Sequence, residues 1–235
     1  QLRLAMEEIT GIDLNWFFNQ WFLAKGHPSL EIEHAYSEET KKYSVTISQT
    51  QDLEEFPLYR IPMDVDIYFG GAVNRHRIDL TDETQTFEFD VLGIPSLVKV
   101  DAEHLLLGTK EETLSEDEYI FMLKYAPLYL DKSEALNGLK TTSNPEAITS
   151  ILSTMEDKYW GTRRKALQAI KSKSVADTSL LKNKLIWMAQ KDEKSIVRAE
   201  ALSTLADKFG ADKNVRAIIE GAMKERSYAV LGAAL

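Results

Sequence analysis

Cysteine is absent from the 235 residues, and with it go disulfide frameworks, thiolate metal sites and cysteine nucleophiles. The same absence leaves the redox compartment undefined. Histidine is scarce: His27, His34, His76 and His104 fall in strand or loop context, and none is paired at i, i+4 on a helix. An HExxH zinc peptidase needs two imidazoles one helical turn apart with a Glu general base, so that constellation is missing from these residues. Missing too are a Gly-x-Ser-x-Gly elbow, a phosphate-cradling Gly-rich loop and EF-hand spacing. No apolar run approaches the roughly 20 residues that span a bilayer, and the first residues show no basic-then-apolar signal pattern, which bears only on the segment in hand. Positive charge is in deficit, with 28 Lys and Arg against 37 Asp and Glu. That balance works against a nucleic-acid backbone as partner, which would require a basic face.

What is present suits one or two globular domains. Hydrophobic residues make up 44% of the chain, enough for a sizeable core and too much for disorder. The organising stretch is Asp13 to Phe22, where Leu14, Phe17, Phe18, Trp21 and Phe22 form one apolar stripe on a short helix, with Asp13 as its expected N-cap. Gly26 and Pro28 stop that helix and start extended chain. Before it, Leu2, Ala5, Met6 and Ile9 predict a helix that runs from the first residues without an N-cap, as expected of a truncated segment.

From Leu30 the period becomes two. Leu30 to Tyr36 and Tyr43 to Ile47 predict a hairpin, and Ile61 to Phe69, Arg77 to Leu80, Thr86 to Val91 and Leu97 to Asp101 predict further short strands. With no helical crossover between them, an antiparallel β-sandwich is expected over residues 27–114, with Pro57 and Pro62 at edge or strand-start positions. Ser115 and Glu118 then form a capping box, and Asn144 with Pro145 marks another helix start. Residues 115–235 read as helical, and they repeat: Ala166, Ala201 and Ala234 stand 35 and 33 residues apart in aligned segments at 162–167, 197–202 and 230–235. Such a period predicts a HEAT-like or armadillo-like solenoid, expected to be truncated at its C-terminal end for want of a capping repeat.

Candidate sites are few. The aromatic stripe reads first as core, and second as a contact for a domain outside the chain. His27 reads as a loop residue bonded to nearby backbone. The basic run Arg163, Arg164, Lys165, Lys171 and Lys173 reads as a solvated helix face. A sharper alternative places Arg163, or Arg198 at the equivalent repeat position, on a substrate cavity to steady a peptide carboxylate. Glu7-Glu8, Glu54-Glu55 and Glu111-Glu112 read as solvated.

The run from Leu4 to Ile32, with Phe17-Phe18-Asn19-Gln20-Trp21 and Gly26-His27-Pro28 at its centre, resembles the end of the catalytic domain in the aminopeptidase N family of zinc metallopeptidases, which are gluzincins. Tyr43 to Gln51 resembles the sandwich strand that follows there. The resemblance implies three parts: terminal helices of a truncated catalytic domain (1–26), a β-sandwich (27–114) and a HEAT-like helical domain (115–235). It implies zinc for the parent protein, peptide substrates, and the chain's own upstream catalytic domain as partner through Leu14, Phe17, Phe18, Trp21 and Phe22. The family's HExxH helix, third Glu ligand, Gly-x-Met-Glu-Asn motif and transition-state tyrosine map onto no position here, so no catalytic or metal residue is carried over. The implied role is to shape and enclose a substrate cavity. Competing expectations are a freestanding sandwich-plus-solenoid adaptor and part of a degenerate, inactive peptidase.

Overall fold

Two periodicities divide the chain, and the computed structural model, which describes residues 1–235, follows them. The residues separate into two compact units, 1–113 and 114–235.

The first unit begins with helix α1 (Leu2–Thr10), closed by Gly11 in the left-handed conformation, and α2 (Asn15–Phe18), which runs on into a π-helical turn over Asn19–Leu23. Strands β1 (Ser29–Ser37), β2 (Lys42–Gln49), β3 (Ile61–Phe69), β4 (Ala72–Leu80), β5 (Thr84–Asp90), β6 (Leu97–Val100) and β7 (Thr109–Glu112) follow. They form a four-stranded sheet in the order β5-β2-β1-β7 and a three-stranded sheet in the order β4-β3-β6. Alternation sets the faces. In β2, Tyr43, Val45 and Ile47 are buried, while Thr46 and Ser48 pair hydroxyls with Thr86 and Thr84 of β5 at 2.8 and 3.0 Å. Those residues join Leu30, Ile32, Ile61, Met63, Val65, Ile67, Val98 and Val100 in one apolar cluster shared by both sheets. The outer face of β3 carries acids opposite bases on β4: Asp64 meets Arg77 and Asp66 meets Arg75. Such opposite-charge pairs add a few tenths of a kcal/mol each.

Pro62 sits near the start of β3, and β6 pairs with β3 only from Val65 onward. The missing amide therefore costs no ladder bond on that side. The purely antiparallel expectation needs correction at one strand. β7 pairs parallel with β1, Ser29 opposite Thr109 through Ile32 opposite Glu112. Its sequence, Thr-Lys-Glu-Glu, lacks the apolar alternation that marks a strand, and its partners hold it instead. Glu112, only 2% exposed in its side chain, accepts from Lys110 at 2.7 Å and lies 2.8 Å from His34 Nε2. Burial would raise the Glu112 carboxyl, but the His34 and Lys110 contacts outweigh it and hold the group below its ordinary range.

The second unit contains α3 (Glu116–Tyr125), α4 (Tyr129–Gly138), α5 (Pro145–Thr154), α6 (Trp160–Ile170), α7 (Thr178–Lys191), α8 (Ser195–Phe209), α9 (Lys213–Ala222) and α10 (Tyr228–Ala234). The Ser115–Glu118 capping box forms, and Asn144 caps α5 with Pro145 in its first turn. Successive helices pair as α3 with α4, α5 with α6, α7 with α8 and α9 with α10, while α4, α6, α8 and α10 touch in turn. Ala166, Ala201 and Ala234 lie buried along that even-numbered row, where a small side chain permits close helix approach. No helix is long and apolar enough to cross a membrane.

Candidate functional site

The aromatic segment is anchored on one side and open on the other. Leu14, rather than Asp13, occupies the N-cap position of α2; Asp13 accepts from the Asn15 amide at 2.9 Å and from its side chain at 2.7 Å, an Asx turn just ahead of the helix. Those bonds hold the Asp13 carboxyl below its ordinary value. Glu7 of α1 accepts from the Leu14 amide at 2.8 Å while paired with Arg3, tying the two helices together.

The expected single stripe splits. After Phe18 the backbone switches to i→i+5 hydrogen bonding, with the Ala24 amide donating to Asn19 O, and the wider turn rotates later residues off the α-helical phase. Trp21 consequently turns inward, against the sheet core and 5.3 Å from the Tyr59 ring. Gln20 lies beside it and acts like a strand residue: its side-chain amide donates to Arg60 O at 2.9 Å and accepts from Arg60 N at 2.8 Å. The Arg60 guanidinium stands 4.7 Å over Trp16. Tyr59 donates its hydroxyl proton to Lys25 O at 3.2 Å. Patterning in sequence does not single out Gln20, Tyr59 or Arg60, because partners 40 residues apart leave no local signal.

Phe17, Phe18 and Phe22 cluster with one another instead, Phe18 stacking on Phe22 at 4.8 Å. Phe22 is 62% exposed, and α1 has no buried residue, with Ile9 85% exposed and Leu2, Leu4 and Met6 also open. The segment is thus fixed to Tyr59 and Arg60, just ahead of β3, by Trp21 and Gln20 while presenting an uncovered apolar face. His27, as expected, is a loop residue beside backbone, its Nδ1 3.3 Å from Pro28 O.

In the helical unit, Arg163 and Lys173 correct the expectation of a solvated basic face, since both are buried. Arg163 donates from Nε and Nη2 to the two Asp192 oxygens at 2.7 and 2.8 Å, and from Nη1 to the Asp157 and Lys158 carbonyls. Its donors are taken up by the protein, leaving no free fork for a carboxylate. Arg198 repeats the pattern, giving Nη1 to Asp192 O at 3.0 Å and Nη2 to Glu225 at 3.1 Å. Lys132 and Asp157 form the preceding rung. At other positions Lys173 donates to Lys140 O and Thr142 O, and Lys208 donates to Lys173 O from 35 residues on. Burial pushes both ammonium groups down. The sequence repeat is therefore matched by recurrent cross-repeat bonds.

A metal finds no donor set here. No three side chains among His, Cys, Asp and Glu come together to hold an ion, and the residues present do not fit zinc.

No family model matches the chain. Aminopeptidase N of Escherichia coli (strain K12) is 26% identical over 152 residues, covering 59% of this chain and 17% of that protein. Aminopeptidase N of Haemophilus influenzae is 33% identical over 99 residues, covering 36% of this chain and 11% of that protein. The chain is related to the aminopeptidases. A crystal structure of Legionella pneumophila aminopeptidase A in complex with aspartic acid shares the fold, with a TM-score of 0.74 over 99% of this chain and 34% of that one, at 12% identity. This aminopeptidase-related chain accordingly spans less than a fifth of the length of these two curated relatives.

Proposed function

We propose that this chain is the non-catalytic C-terminal region of a zinc aminopeptidase of the gluzincin type, which removes N-terminal residues from peptides. On this reading residues 1–26 are the last helices of the catalytic domain, the two sheets are its β-sandwich, and α3 to α10 are a HEAT-like array that shapes and encloses the substrate cavity. Zinc would be held by residues other than these 235, where it would supply activated water; no residue here would take part in that step.

The observation that carries the reading is the uncovered apolar face of α1 and Phe22 in a chain related to aminopeptidases. Its partner on this account is the chain's own upstream catalytic domain, which would bury that face. Placing a carboxylate there would leave a buried, unpaired charge. In the complete translation product, Ile9→Asp and Phe22→Asp should each lower the aminopeptidase rate or zinc retention at least about tenfold. Ile9→Asp, at a side chain 85% exposed, should leave the melting temperature of the 235-residue chain unaltered. Unimpaired activity in both variants contradicts the proposal.

A further inference from the structure

A cavity of about 710 Å³ opens in the helical unit between the end of α5, the start of α6 and the last turns of α7. A volume of this order accepts a drug-sized ligand. Met155 and Met188, both buried, line its floor, and Trp187 lines it while 59% exposed. Lys184, Trp187, Met188 and Lys191 fall at i, i+3, i+4 and i+7, so α7 presents them on one face. An indole held open to solvent beside two methionines is a surface that gains by being covered.

The charges in the wall divide sharply. Lys184 holds Glu156 at 2.6 Å and donates to Leu152 O. Arg163 holds Asp192 and reaches Glu193 at 3.5 Å, and Asp157 is taken by Lys132. Every acid in the wall therefore faces a cation. Lys158 and Lys191 are exposed and make no ion pair within 4 Å. In a protein of net charge -9, two uncommitted ammonium groups beside an apolar floor have one chemical complement, an anionic group on an apolar body.

We propose that this cavity binds an aromatic carboxylate, the carboxylate between Lys158 and Lys191 and the ring against Trp187 over Met155 and Met188. The site is independent of the peptidase reading above. Such a carboxylate could come from a free acid or from the end of a peptide, and the probes separate the two. The 235-residue chain is titrated by calorimetry and tryptophan fluorescence with N-acetyl-phenylalanine, its carboxamide, acetate and Gly-Gly-Phe. The acid should bind saturably with Kd about 1 mM or tighter, and the carboxamide at least about tenfold more weakly. Acetate, lacking the ring, should not bind. The double variant Lys158→Gln with Lys191→Gln should weaken the acid about tenfold and leave the carboxamide unchanged. Trp187→Phe should remove most of the fluorescence response while calorimetric binding persists, because of the four indoles only Trp187 lines the cavity. Binding of Gly-Gly-Phe as tight as that of the acid admits a peptide end, and its exclusion leaves the free acid; either keeps the proposal. Equal affinity for acid and carboxamide, undiminished affinity in the double lysine variant, or no saturation by about 10 mM overturns it.

Discussion

Arg163 and Asp192 form the most consequential pair of side chains in the helical unit. Their side chains are 11% and 2% exposed, and each satisfies the other through two short bonds. Removing one partner strands the other as a buried charge, so Arg163→Ala should destabilise the chain by about 3 kcal/mol in urea denaturation. Arg164→Ala, next in sequence but 40% exposed and bonded at 3.3 Å to Glu200, should cost no more than about 0.5 kcal/mol. The same pair sets an acid limb. Burial alone would raise the Asp192 carboxyl; the Arg163 bonds, the Lys194 amide and the Arg163 and Arg198 charges outweigh it and depress the native value. Asp157 behaves alike, with Lys132 and the Tyr159 amide overcoming burial. A carboxyl depressed in the native state contributes stability that is complete above its ordinary value of 3.8 and is lost as the pH falls through the native value. Asp192→Asn should therefore flatten the stability profile below about pH 4 relative to the parent chain. An unchanged acid limb would show that other carboxylates dominate it.

At the scale of elements, the junction after the π-helical turn depends on Gly26. Its φ is +85°, and a Cβ there would lie 2.3 Å from the Phe56 ring. Gly26→Ala should cost more than about 1 kcal/mol, with Phe56→Ala in the same chain recovering the steric part only. By contrast, Leu2→Gln and Ile9→Gln on the exposed face of α1 should each change stability by less than about 0.5 kcal/mol. Elements whose apolar pattern points into their own unit were legible in sequence: β2, β3 and the capped starts of α3 and α5 stand close to where periodicity and caps place them. β7 was not legible, because a polar strand held by Glu112, His34 and Lys110 carries no alternation. The π-helical turn was equally silent, since Leu14 to Phe22 fit an α-helical stripe and only the contacts of Gln20 with Arg60 and of Trp21 with Tyr59 favour the wider turn. The Arg163–Asp192 rung escaped for a related reason. A charged residue in a basic run reads as solvated unless its acid, 29 residues away, is known to fold beside it.

At the scale of the molecule, the repeat at 166, 201 and 234 has a physical counterpart. The even-numbered helices touch in succession, and basic side chains bond across to the following or preceding repeat at recurrent positions. In the first unit the two sheets bury their own apolar faces without calling on α1, so Leu2, Leu4, Met6, Ile9 and Phe22 stay exposed. In the proposed function they pack against the catalytic domain of a zinc aminopeptidase. The most direct test measures zinc content and aminopeptidase rate, with and without a chelator, for this chain beside the complete translation product of its gene. The complete product should carry about one zinc per molecule and show chelator-sensitive cleavage, and the 235-residue chain should show neither. An inert, metal-free complete product, or cleavage by the chain alone, would contradict the proposed function.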